Sequence, residues 1–243
     1  MNVDNEQFKS EKKAFKEERK RHRKSITREY KHYADGIGNI GSKDGVFFAE
    51  GISNIYGGEF REMYIEGICN SGSNIKAERL DIEGVFNCDG SIDADDFYCE
   101  GTAQIRGNVR SKVLNVEGVT EIKGRLEADS IICAGLIRVA EEISSDLINA
   151  RGAVFAREIV GDTVRIRSEI RNFWRSFLSG RETIDLIEAT TIELHRVHAK
   201  VVSGQDIHIG YDCQIDRIDC SGTLYIDPTA RVGEIVGQYT RKF

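Results

Sequence analysis

Gly67, Gly84, Gly101, Gly118, Gly135 and Gly152 follow one another at intervals of seventeen residues. Their neighbours keep the same interval. Four places before each glycine stands Met63, Leu80, Phe97, Leu114, Ile131 or Ile148, and two places before it Ile65, Ile82, Cys99, Val116, Cys133 or Ala150. A fixed period of this kind signals a repeat architecture, in which each unit buries its apolar face against the next. Such a stack has a long side surface, two ends and no built-in cleft, so it narrows function as well as fold.

Within one repeat, Leu80-Asp81-Ile82 alternates apolar and polar residues at the period of a half-buried strand. Gly84 then allows a bend, and Gly90 stands six residues on, with Gly107 and Gly124 in the same place of the next repeats. Glycine suits such bends because it reaches backbone angles that other residues avoid. Ile92 marks another inward position, shared with Ile75, Val109, Leu126, Ile143 and Val160. Small residues follow two places later at Ala77, Ala94, Ser111, Ala128 and Ser145. Seventeen residues cannot hold a helix pair with its loops, and the glycine and β-branched content disfavours helix. The pattern predicts an all-β fold, a single-stranded parallel β-helix with one circuit per repeat and like side chains stacked about 4.8 Å apart. Left-handed hexapeptide helices repeat in multiples of six, so the right-handed form is expected.

The repeat spans residues 47–236, room for about ten or eleven coils and a rod roughly 50 Å long at ordinary strand spacing. Residues 36–243 form the predicted β-helix and residues 1–35 a charged tail, helical or disordered. The register loosens after Val160. Residues 169–183, EIRNFWRSFLSGRET, read as an irregular insertion, with Phe173, Trp174 and Phe177 expected against the rod's side. Order returns where Ile207, Ile209, Ile215 and Ile218 recur seventeen places later as Leu224, Ile226, Val232 and Ile235. Pro228 fits a bend of that last coil.

Charge is divided unevenly. Residues 1–33 carry eleven Lys/Arg and six Asp/Glu, a net of +5, which leaves −11 for the remainder of a chain whose total is −6. No stretch approaches a membrane span, and the N-terminus lacks a signal-peptide core. A cytoplasmic protein is expected. The six cysteines, with no CxxC pair, are expected as free thiols in the core. Cys99 and Cys133, two repeats apart, would lie about 9–10 Å from each other, beyond disulfide reach.

The end coils of a β-helix are sheet edges, which soluble proteins normally cover or charge because they template association. After Val236 stands GQYTRKF, too short for a capping helix. Leu224, Ile226, Val232, Ile235, Tyr239 and Phe243 are therefore candidates for self-association at one end, with Tyr239 and Phe243 folded over that end as a small plug the alternative, and Phe47, Ala49 and Ile55 are candidates at the other. The units LDIEG, LNVEG and IICAG, with GNV and GRL between them, resemble those of bactofilins, polymer-forming bacterial cytoskeletal proteins. The resemblance covers residues 45–165 well and 200–236 moderately. It implies a right-handed β-helix and end-to-end filaments formed without nucleotide. It also implies a non-enzymatic scaffold for cell-envelope or chromosome-segregation machinery. The longer repeat region, the interruption at 169–183 and the charged tail depart from that family's pattern.

In the tail, Phe8, Phe15, Ile26, Tyr30 and Tyr33 fit one helical face. Lys12, Lys13, Lys16, Lys20, Arg21, Arg23 and Lys24 would meet an anionic membrane at the cell's inner face or another polyanion; alternatively the segment is a solvated arm or a cap on the first coil. No specific nucleic-acid site is expected. His195, His198 and His208 offer an alternative reading as an inter-subunit metal site of a β-helix enzyme, with surface histidines as the plainer expectation. A third reading is a monomeric binding module. Asp93, Asp95, Asp96 and Glu100 are expected as solvated outer charge rather than catalytic acids. With no GxxxxGK[ST] and no GxSxG, neither nucleotide nor triad chemistry is indicated, and no cofactor is expected.

Overall fold

The computed structural model describes residues 45–168 and 183–242, the backbone of 41–43, and nine positions of the N-terminal arm (10, 13, 17, 19–22, 24 and 25), all nine helical. All of the expected insertion at 169–183 except its last residue, and with it Phe173, Trp174 and Phe177, lies outside the described residues, as do Lys12, Lys16, Arg23 and Phe243. So do the tail residues Phe8, Phe15, Ile26, Tyr30 and Tyr33.

The seventeen-residue period builds a β-solenoid. One long sheet stacks β2 (Val46–Ala49), β4 (Gly58–Ile65), β6 (Ile75–Ile82), β8 (Ile92–Cys99), β10 (Val109–Val116), β12 (Leu126–Cys133) and β14 (Glu142–Ala150). It continues through β16 (Glu158–Arg167), β17 (Ile184–His195), β18 (His198–Ile209), β19 (Gln214–Ile226) and β20 (Arg231–Val236). Every neighbouring pair in this series is parallel. A second sheet stacks the short strands β3 (Ile52–Ile55), β5 (Ile68–Ser71), β7 (Val85–Cys88), β9 (Thr102–Ile105), β11 (Val119–Ile122), β13 (Leu136–Val139) and β15 (Ala153–Phe155). Among the described residues it goes no further, and the last coils are built on strands of 12 or 13 residues in the long sheet. At the two ends, β1 (Gly41–Lys43) pairs antiparallel with β2, and β21 (Thr240–Arg241) pairs with β19.

The interior consists of the predicted columns. Leu80 opposes Phe97 and Phe97 opposes Leu114, and the column continues through Ile131, Ile148, Val164, Ile192 and Ile207 to Leu224. All are buried in one continuous cluster. Cys99 and Cys133 flank Val116 two coils apart, as expected, and all six cysteines are free and buried. Burial pushes the Cys69 thiol up to about 12 and that of Cys99 to about 11, so both are poor nucleophiles.

Two expectations need correcting. The residue beneath Ile143 is Ile159, not Val160, because that circuit takes sixteen residues instead of seventeen. The glycine period also has a different cause. Gly84 has no left-handed φ, but a Cβ there would lie 1.9 Å from the carbonyl oxygen of Gly67 on the coil before. Close backbone approach at a corner, rather than a special dihedral, excludes side chains there. Pro228 sits in a turn beyond β19, where Asp227 accepts from the Thr229 N–H at 2.8 Å.

Candidate interaction surfaces

Side chains on the outer face of the long sheet stack into columns just as the inner ones do. One column runs Phe48, Tyr64, Asp81, Tyr98, Asn115. Although it faces away from the tube, all five residues are buried. Val46, Phe48 and Tyr64 form a small apolar cluster separate from the main core, with the Phe48 and Tyr64 rings stacked at 4.9 Å.

The N-terminal arm supplies part of this cover. Arg19, 8 % exposed, lies over the column. Its Nε donates to Asp81 Oδ2 at 2.6 Å and its Nη2 to Asp81 Oδ1 at 2.5 Å, a two-pronged pair. Nη1 donates to Glu100 Oε1 at 2.7 Å, Nη2 approaches Glu83 Oε1 at 3.3 Å, and the guanidinium sits 5.8 Å from the centre of the Tyr98 ring. Burial alone would make Arg19 easier to deprotonate, but the hydrogen bond and charge of Asp81 outweigh it and hold the cation more firmly than usual. One turn on, His22 Nε2 lies 3.0 Å from Glu62 Oε2, and the Tyr64 hydroxyl donates to the same oxygen. Burial pushes the Glu62 carboxyl up, yet these two partners together bring it below the usual range.

Glu83 and Glu100 belong to a corner column of carboxylates, Glu50, Glu66, Glu83, Glu100 and Glu117, each one place before a corner glycine. Like charges stacked about 4.8 Å apart repel. A cation that bridges two of them offsets that repulsion, which explains why a basic arm settles at this corner. Of the acids expected as solvated outer charge, Asp93 and Asp95 are exposed, the latter paired with Lys112, while Asp96 and Glu100 are half-buried and pair with Arg79 and Arg19. Of the named basic residues, Lys13, Lys20, Arg21 and Lys24 are exposed on the arm. Arg19, the residue that makes the contact, was not singled out by its position in a uniformly charged segment. The available signal lay on the rod, where aromatic Phe48, Tyr64 and Tyr98 occupy outward places that a solvated sheet fills with polar residues.

Farther along, the same outer column reads Arg165, Glu193, His208, Tyr225 and is not covered to the same degree. It borders a groove of about 540 Å³, lined among others by Arg151, Arg167, His195, Tyr211 and Lys242. Glu193 accepts from Arg167 at 2.5 Å and lies 3.1 Å from His195 Nε2. Hydrogen bonding to His195, joined by Arg167 and opposed by burial, brings the Glu193 carboxyl down to about 2. The His195 ring lies 5.8 Å from that of His208, which stacks on Tyr225 at 4.4 Å. Desolvation leaves His208 harder to protonate than a free imidazole. The three-histidine alternative is not assembled here. In the strand register His195 opposes Arg167 and His208 opposes Glu193, while exposed His198 opposes Gln214. No three His, Cys, Asp or Glu side chains converge on a metal position among the described residues. On the short sheet, Asn54, Asn70 and Asn87 form a carboxamide column linked at 2.9 and 2.8 Å.

The two ends differ. The first coil is closed: Phe47 and Ala49 are fully buried, Ile55 is half-buried, and Phe47 packs on Phe60 at 5.6 Å. At the last coil Leu224 is buried, Ile226, Val232 and Ile235 lie half-buried on the core, and Tyr239 is exposed. Among the described residues, β20 pairs with β19 alone, and no helix is long and apolar enough to cross a membrane.

No family model matches the sequence, and no solved structure matches it. A stretch of 50 residues is 46 % identical to the "Uncharacterized protein YhbE" of Bacillus subtilis (strain 168). The match spans 21 % of each of the two chains.

Proposed function

We propose that this protein is a non-enzymatic scaffold subunit that joins end to end through its terminal coils, without nucleotide, as the bactofilins it resembles do. In this reading it organises partner proteins in the bacterial cytoplasm, at the inner face of the membrane where its arm meets lipid. The observation that carries the proposal is the last coil. Ile226, Val232 and Ile235 end three apolar columns of the core yet remain half-buried, and the outer edge of β20 has no partner strand among the described residues, although β21 pairs with β19 beside it. A second subunit placed there would continue both the hydrogen-bond ladder and the apolar columns. At the first coil the antiparallel β1 already occupies the edge of β2, so the edge of β3, unpaired among the described residues, and half-buried Ile55 are what remains for contact.

Negative-stain microscopy of the purified chain without nucleotide tests this. Filaments or multi-rod assemblies are expected, and replacing Ile235 and Val232 together by lysine is expected to return them to single rods. Single rods from the unaltered chain at high concentration would refute the proposal.

A further inference from the structure

The arm helix is pinned to the rod at Arg19 and His22. At 3.6 residues per turn, Lys13, Glu17, Lys20 and Lys24 share one face, Arg21 flanks it, and Arg19 and His22 fall on the opposite side. Lys13, Glu17, Lys20, Arg21 and Lys24 are exposed and Arg19 is buried, while His22, at the rim of the contact, keeps its ring partly exposed. Pinning therefore converts a basic tail into a fixed face, with four cations and one carboxylate among its described residues, directed away from the rod.

A second feature borders the pin. Glu83 meets Arg19, Gly84 turns the corner, and Val85 opens β7. Val85 stacks in register on Ile68 and Ile68 on Ile52, all outward and 36, 41 and 49 % exposed, and Tyr56, in the same coil as Ile52, is 87 % exposed. Single exposed aliphatic residues are ordinary, but three in register beside a cationic helix form a patch. Cations, aliphatic side chains and a tyrosine together compose a surface suited to an anionic lipid headgroup layer. A nucleic acid would engage the cations and leave the aliphatic column without a role.

We propose that the N-terminal half of the rod lies side-on against an anionic lipid surface, held by Lys13, Lys20, Arg21 and Lys24 of the pinned arm and by Ile52, Ile68, Val85 and Tyr56 around the corner. The proposal rests on the reading of the arm as the rod's lipid contact and adds how that contact is oriented. It has an unusual consequence: Asp81, a carboxylate, promotes adhesion to a negative surface. It does so because it holds the pin. The docked arm has its ordering entropy already spent, and Arg19 masks three carboxylates that would otherwise face the headgroups.

Co-sedimentation of the full chain with vesicles of equal parts phosphatidylglycerol and phosphatidylcholine, at low salt, separates the cases. Asp81→Asn makes the protein more positive, so simple attraction predicts tighter binding, whereas pinning predicts binding several-fold weaker. Ile68→Asp, at an exposed position that leaves the pin intact, is expected to weaken binding as well, and thermal melts establish that both variants remain folded. Lys20→Glu with Arg21→Glu is expected to abolish binding. If that charge reversal abolishes binding while Asp81→Asn and Ile68→Asp do not weaken it, the arm acts as a free tail and the side-on proposal is overturned, with the lipid role intact. If the charge reversal has no effect, the lipid role itself fails. Tighter binding to duplex DNA than to vesicles also overturns the proposal.

Discussion

The outer column of the long sheet passes from Phe48 to Asn115 in the first coils and from Arg165 to Tyr225 in the last. The backbone positions are equivalent, yet the first stretch is buried and the second is open to a groove. The difference lies in side-chain chemistry. Aromatic rings and a single deeply buried carboxylate, Asp81, give a helix something to pack on and one cation something to pair with. In the later coils, Arg165 is exposed, Glu193 pairs with Arg167 and His195, and His208 stacks on Tyr225. A solenoid thus carries a second, external core only where its outward residues invite a cover.

Removing that invitation should show the largest effect. Tyr64→Ala takes a fully buried ring from the external cluster and is expected to cost about 3–5 kcal/mol, whereas Tyr225→Ala, at the half-buried equivalent, should cost under about 1 kcal/mol. Urea titrations of the two variants make the comparison; equal losses would mean that the two stretches are alike.

A smaller contrast appears with acid. The Glu193 carboxyl sits near 2 in the folded chain, below its unfolded value of about 4.5, so it adds stability above that unfolded value. The contribution declines as pH falls from about 4.5 towards 2, on the order of 1–2 kcal/mol after discounting for solvent screening. Glu193→Gln should flatten the stability profile across that window, measured by urea midpoints. A profile unchanged by the substitution would remove the role assigned to the Arg167–Glu193–His195 cluster.

The tube itself was legible in the sequence because each coil repeats a local pattern, so that Leu80, Phe97 and Leu114 announce their own stacking. The shift at Ile159 was less legible, since a circuit one residue shorter leaves apolar residues at both candidate places, Ile159 and Val160. The arm's docking was legible only on the rod, in the outward Phe48, Tyr64 and Tyr98, and not in the arm itself. It depends on contacts between residues 62 and 81 positions apart in sequence, and no periodicity distinguishes Arg19 from the cations around it. Of the three histidines expected at the surface, His198 and His208 are exposed but His195 is buried, because the corner between β17 and β18 separates it from His198 and the register sets it against Arg167.

The pin between the arm and the rod supports both the external core and the side-on orientation, and a double-mutant cycle on Arg19 and Asp81 measures it directly. Urea unfolding of Arg19→Met, Asp81→Asn and the pair together should give a coupling of about 1–3 kcal/mol, because each single change already loses what the pair provides. Strictly additive losses, with no coupling between the two sites, would mean that the arm does not dock there.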